Sequence, residues 1–103
     1  MKTKDVEINW NGKQEQVTLK RLTFGELNQL TEEATEMKMV GNQPTIKISQ
    51  KVIREHGLLK SIIKAPFTIG LKEIQDMEAE IGNQLFEEFT LLNQQEGKKN
   101  TED

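Results

Sequence analysis

The sequence predicts an α+β fold that is mostly α: an N-terminal β-hairpin followed by three or four helices packed as a small bundle. Three patterns carry that prediction. Residues 4–20 alternate apolar and polar side chains about an Asn-Gly pair, which is the period and the turn of a hairpin. From Thr23 onward, apolar residues recur at helical spacing behind a capping signal. The stretch SIIKAPFTIG, residues 61–70, then separates two further helical patterns with an Ala-Pro stop.

In the hairpin, Val6, Ile8 and Trp10 alternate with Glu7 and Asn9, and Val17 and Leu19 alternate again beyond Asn11-Gly12. A two-residue type I′ turn there sets Trp10 opposite Lys13 and Val6 opposite Val17, on one face. A lone hairpin is marginal in water, so this one must lie on helices or pair with another chain.

The first helix is predicted over about 23–40. Thr23 followed by Glu26 is a capping box, and Leu22 with Leu27 is the accompanying hydrophobic staple. Leu27, Leu30, Ala34 and Met37 form one stripe, and Gly41 supplies a left-handed residue to end it. GNQPT reads as a loop, and Ile46-Lys47-Ile48 is too short to assign. Ser49 caps a second helix predicted over 49–65, with Val52, Ile53, His56, Leu59, Ile62 and Ile63 towards the core. Gly57 inside it costs about 1 kcal/mol relative to Ala, and Pro66 ends it at Ala65. The last pattern, 71–94, carries Leu71, Ile74, Ile81, Leu85, Phe89 and Leu92. It reads either as one helix or as two, with a break near 77–80. Residues 1–94 are thus a single domain, and the polar stretch 95–103 reads as a disordered tail.

Apolar residues are 34% of the 103 and charged residues 30%. That ratio predicts a thin core, built mostly from Leu, Ile, Val and Met, and stabilisation by self-association or a partner. Cysteine is absent, which removes disulfides and thiolate metal sites. The charged, alternating start is no signal peptide, and no apolar run approaches the roughly 20 residues that cross a bilayer. These features predict a soluble, cytoplasmic protein with no membrane partner.

No catalytic, cofactor-binding or metal-binding residue emerges. His56, the one histidine, lies on an apolar stripe where a packed or half-exposed ring is expected, and DMEAE matches no metal-loop spacing. Adjacent acids such as Glu32-Glu33 diverge on a helix. The reading is therefore a protein that is not an enzyme and needs no cofactor. An alternative is a small nucleic-acid-binding regulator using the basic 47–64 helix, with Lys47, Lys51, Arg54, Lys60 and Lys64. The overall acidity, a net charge of −3, and the division of these cations into two rows argue against it. Protein binding remains. Phe24, Phe67, Ile69 and Phe86 sit at element boundaries or off the main stripes, and they are the expected protein-binding residues.

The order of segments resembles the tail assembly chaperones of long-tailed phages and related archaeal viruses or proviruses. The shared pattern is a hairpin, "Leu-x-x-Leu-Thr-x-Gly-Glu", a mid-chain helix ending "Ala-Pro", and a C-terminal "Gly-x-x-Leu" helix running into Leu-Asn. Leu19, Leu22, Thr23, Gly25, Glu26, Ala65, Pro66, Gly82, Leu85, Phe89, Leu92 and Asn93 match it over roughly residues 5–94. The family's proline near the helix break has no counterpart at Met77. The resemblance implies a chaperone that keeps the tape measure protein soluble in the host cytoplasm during virus tail assembly. It also implies contact with the tail-tube protein and a homo-oligomer. On this reading SIIKAPFTIG folds the acidic last helix onto the basic middle one, with Phe67 and Ile69 at the seam.

Overall fold

The computed structural model describes residues 2–94, so the tail predicted over 95–103 lies outside the described residues. Strands β1 (Thr3–Trp10) and β2 (Lys13–Lys20) form the hairpin in the expected register, Val6 opposite Val17 and Trp10 opposite Lys13. Asn11 and Gly12 take φ of 53° and 80°, the two positive values that a type I′ turn needs. Alternation buries Val6, Ile8, Val17 and Leu19 on one face and leaves Asp5, Glu7 and Asn9 in water.

Helix α1 (Phe24–Ala34) starts at the predicted capping box: Glu26 N donates to Thr23 Oγ1 at 3.1 Å and Thr23 N donates to Glu26 Oε1 at 2.9 Å. It buries Leu30 and Ala34 and stops there, six residues short of the predicted end. Residues 35–40 are instead strand β3 (Thr35–Val40), which turns at Gly41-Asn42 into β4 (Gln43–Ile48). Gly41 is left-handed as expected, with φ of 66°, but it closes a hairpin rather than a helix. GNQPT is therefore the turn and the beginning of a strand.

Helix α2 (Gln50–Ser61) begins at Ser49, whose Oγ accepts from Val52 N at 3.3 Å. It ends before the Ala-Pro pair, because Ile62–Lys64 leave it as strand β5 and pair antiparallel with β2. Ser61 fastens the switch: its buried Oγ donates to Lys20 O at 2.7 Å. The sheet order is β1-β2-β5. Helix α2 buries Gly57, Leu58 and Ser61, a face rotated from the predicted stripe, on which His56 is only half-buried. The final pattern is two helices, α3 (Leu71–Asp76) and α4 (Ala79–Leu92), separated where Met77 and Glu78 take extended ψ of 158° and 141°.

A mostly helical bundle is therefore not what forms. With 46% helix and 33% strand among the described residues, the molecule is an α+β fold in which a sheet supplies a full layer of the core. The reason is local. Two segments that satisfy a helical period, 35–40 and 62–64, gain more by strand pairing next to a turn glycine and an open β2 edge. The core contains no fully buried methionine among the described residues: Met77 packs at its border, while Met37 and Met39 are exposed.

Helix α4 crosses the sheet and seats Ile81, Leu85, Phe89 and Leu92 on it. Polar clasps fix its angle. Gln84 Nε2 donates to Glu7 O at 2.8 Å on the outer strand β1, Lys4 pairs with Glu88, and Leu22 N donates to Asn93 Oδ1 at 2.9 Å. On its other side Phe89 meets α2 at Gly57. A Cβ there would lie 3.0 Å from Phe89 Cζ and 3.5 Å from a methyl group of Leu30.

Two alanine substitutions separate packing from helix propensity. Gly57→Ala gains about 1 kcal/mol of propensity but forces the buried Phe89 ring aside, an overpacking cost of about 1–3 kcal/mol. Net destabilisation is expected in urea unfolding. Gly82→Ala gains up to about 1 kcal/mol, because its Cβ meets only the Met77 side chain, at ordinary distances of 3.7 Å from its sulfur and 3.8 Å from its Cγ. Its unfolding midpoint is expected to rise.

Candidate functional site

Several of the exposed large hydrophobic residues gather on one surface that the residue-by-residue expectations missed. Strands β3 and β4 leave the body as a two-stranded arm in which every residue is exposed. Their register places Thr35 opposite Ile48, Met37 opposite Ile46 and Met39 opposite Pro44. Those six residues share one face. Glu36 with Lys47, Lys38 with Thr45 and Val40 with Gln43 form the other. The arm is thus amphipathic, and among the described residues no second layer lies against its apolar side. Met37, Met39 and Ile46 are 65–70% exposed, and Ile48 is 42% exposed. The radius of gyration, 15.9 Å, records the projection; a compact chain of about 100 residues has roughly 13 Å.

The root of the arm is held firmly. Ser49 N donates to Ala34 O at 2.8 Å across its base, and Thr35 Oγ1 donates to Thr31 O at 2.6 Å. Just behind it, Glu33 in the last turn of α1 binds two side chains of α2: His56 Nδ1 at 3.0 Å and Lys60 Nζ at 3.3 Å. These contacts, the His56 hydrogen bond foremost, hold the Glu33 carboxyl below the ordinary glutamate range. Glu26 is lowered likewise, chiefly by Lys20 and then by the Thr23 N–H.

A second feature is an open cleft of about 440 Å³ between α2, α3 and the start of α4. Leu58, Ile74, Met77 and Phe86 supply its apolar lining, with Lys51, Arg54, Glu55 and Glu78 among its polar residues. Arg54 lies over the Phe86 ring, 5.5 Å from its centroid, and hydrogen-bonds Asn83. Gln75 Nε2 donates to Glu55 Oε1 at 2.8 Å.

The four expected docking residues are dispersed. Phe24 is 80% exposed at the start of α1. Phe67 packs on Trp10 with centroids 4.9 Å apart and pins the loop after β5. Ile69 is partly exposed in that loop. Phe86 lines the cleft and stacks on Phe89 at 5.5 Å. Each ring contact thus belongs to a different neighbourhood. SIIKAPFTIG is the end of α2, strand β5 and its exit loop, and α2 meets α4 through Arg54–Asn83 and α3 through Glu55–Gln75.

The basic segment 47–64 is likewise divided: Lys47 lies in β4, Lys51, Arg54 and Lys60 in α2, and Lys64 in β5. Among the described residues no group of three or more His, Cys, Asp or Glu is placed to hold a metal ion. No helix among them is long and apolar enough to cross a membrane. The residues shared with the chaperone pattern have structural posts. Thr23 and Glu26 form the cap, Leu22 and Asn93 bond each other, and Leu19, Leu85, Phe89 and Leu92 are core. No family model, no curated protein and no solved structure matches this chain.

Because the Glu33 pKa is lowered in the folded state, its stabilisation is complete above the ordinary value of 4.5 and fades as the pH falls through the lowered one. Glu33→Gln is therefore expected to be less stable than the parent at pH 7. The gap should narrow below about pH 4.5 in urea titrations run at successive pH values.

Proposed function

We propose that this protein is a non-enzymatic viral tail assembly chaperone, acting in the cytoplasm of the host cell. It binds the tape measure protein and keeps that long chain soluble until tail-tube subunits assemble around it. The observation that carries the reading is the arm. A small domain that presents Met37, Met39, Ile46 and Ile48 on one uncharged face holds apolar surface where another chain can reach it. Methionine suits this task because its unbranched, polarisable side chain adapts to varied apolar partners. The segment order shared with the chaperone family supports the same reading and supplies the identity of the client.

The cleft beside α2 supports it too. Its apolar lining and mixed polar rim suit an amphipathic helical segment of the same client. The basic residues, scattered over β4, α2 and β5, offer weaker support for a nucleic-acid regulator.

Co-expression with the tape measure protein is the test. The parent chain is expected to raise the soluble fraction of that client and to co-purify with it. The double variant Met39→Ser with Ile46→Ser changes two side chains that are about two-thirds exposed, so its helical circular dichroism should be unchanged. It is expected to lose most of the client. A client that is equally soluble with the variant, or without the chaperone, would overturn the reading.

A further inference from the structure

The arm has two outer edges, and their chemistry differs. Its two-residue turn makes Val40 and Gln43 the first hydrogen-bonded pair, after which bonded and non-bonded pairs alternate down the ladder. The N–H and C=O groups of Met37 and Met39 therefore point outward from β3 together with the C=O of Thr35, whose N–H donates to Glu32 O at the end of α1, and those of Ile46 and Ile48 point outward from β4. Pro44 sits at the remaining outward position of β4 and has no N–H to offer. Of the two arm edges, only that of β3 keeps both outward donors beyond its first residue, those of Met37 and Met39.

The other sheet offers no comparable edge. Gln84 of α4 already occupies Glu7 O on β1, and β5 is three residues long.

The side chains of β3 are complementary to themselves. Laid antiparallel on a copy of itself and centred on Met37, the strand brings Glu36 opposite Lys38 of the second copy, twice by symmetry. Met37 meets its own counterpart, and Thr35 meets Met39. The central Met37 pair can exchange both backbone hydrogen bonds, and each flanking Thr35–Met39 pair can add one, from Met39 N–H to Thr35 O. Glu36 and Lys38 fall in the intervening non-bonded pairs, where side chains come closest. A slip of one step either way sets Glu36 on Glu36 or Lys38 on Lys38, and like charges directly opposite are destabilising. The register is thus fixed by charge.

We propose that β3 pairs with β3 of a second copy of this chain, antiparallel about Met37, to form a four-stranded sheet across a two-fold axis. The axis is perpendicular to the sheet, so both apolar faces lie on the same side and merge into one. Strand pairing rests on the arm's own chemistry and stands whatever the client is. Its failure would leave the client-binding reading to be judged by its own test.

Sedimentation of the full chain over a concentration series decides it. Lys38→Glu places Glu36 opposite a glutamate of the second copy. It leaves the arm itself intact, because the in-arm neighbour of Lys38 is the neutral Thr45. Self-association is expected to weaken by about tenfold or more. Glu36→Lys is expected to do the same by setting lysine against lysine. Mixing the two variants restores both opposite-charge pairs and should return dimers containing one chain of each. Met37→Pro, which removes a central outward N–H as Pro44 does on β4, should also block pairing. A parent chain that is monomeric throughout the series would overturn the proposal. So would a Lys38→Glu variant that associates as the parent does, or a mixture that stays unpaired.

Discussion

The contact between Phe89 and Gly57 sets the spacing on which the rest of the body depends. Phe89 is the residue of α4 that looks past the sheet towards α2, and only a glycine lets its ring come that close to the helix. Leu30 of α1 reaches the same point, so one small position brings three helices together. The helical penalty of a buried glycine is about 1 kcal/mol, less than the roughly 1.5–3 kcal/mol that a fully buried phenylalanine returns. Because α1 and α2 flank the arm, the same contact determines where the arm leaves the body. The Glu33 clamp and the Ala34–Ser49 hydrogen bond then hold that exit in one orientation.

From this fixed root projects an element that cannot finish its own folding problem. A two-stranded ribbon has two faces, and burying one of them requires a second layer. The hairpin β1–β2 obtains that layer from α4 and a third strand from β5. The arm obtains neither. Both hairpins have the same pattern of alternation, so the difference in their burial lies in connectivity, not composition. The long apolar helix α4 lies on one hairpin, and among the described residues none lies on the second. A separation of labour follows. Residues that match the chaperone pattern hold the body together, and the exposed apolar face of the arm lies on a segment outside those residues.

Much of the body was legible because its signals are local and redundant. The Asn-Gly turn, the Thr23–Glu26 box and the Ser49 cap each specify geometry within four residues, and each forms as read. The arm was misread where two periods coincide. Met37 stands three residues after Ala34, so it extends a helical stripe; it also alternates with Glu36 and Lys38, which extends a strand. Gly41 fits the end of either. The deciding evidence lies further on, in the alternation of Pro44, Ile46 and Ile48 about Thr45 and Lys47, mirrored across Gly41-Asn42. Strand β5 was illegible for another reason. Three residues at the end of a helix carry no period, and their conformation is set by the open edge of β2, more than forty positions earlier. Phe67 lies in the loop after β5 and Phe86 in the middle of α4 rather than beside a turn, and each finds an aromatic neighbour within the body.

An exposed strand edge is ordinarily a hazard, and the difference between the two edges of the arm bears on how the hazard is contained. If β3 of one copy paired with β4 of the next, each addition would expose the same two edges again, and the assembly would grow without limit. Pro44 stands against that outcome. It removes an outward donor from β4 while leaving the in-arm ladder of bonded pairs intact, because its own position faces away from β3. Lys47 adds a strongly hydrated charge on the same strand, a common device for blunting an edge. Growth through β3 alone closes after two copies, since a two-fold contact uses one strand from each and leaves only the blunted β4 edges outside. Closure at the edges leaves the apolar face untouched. The arm can thus be finite as an assembly and still open as a binding surface, which is what a protein must be if it is to cover another chain without polymerising on itself.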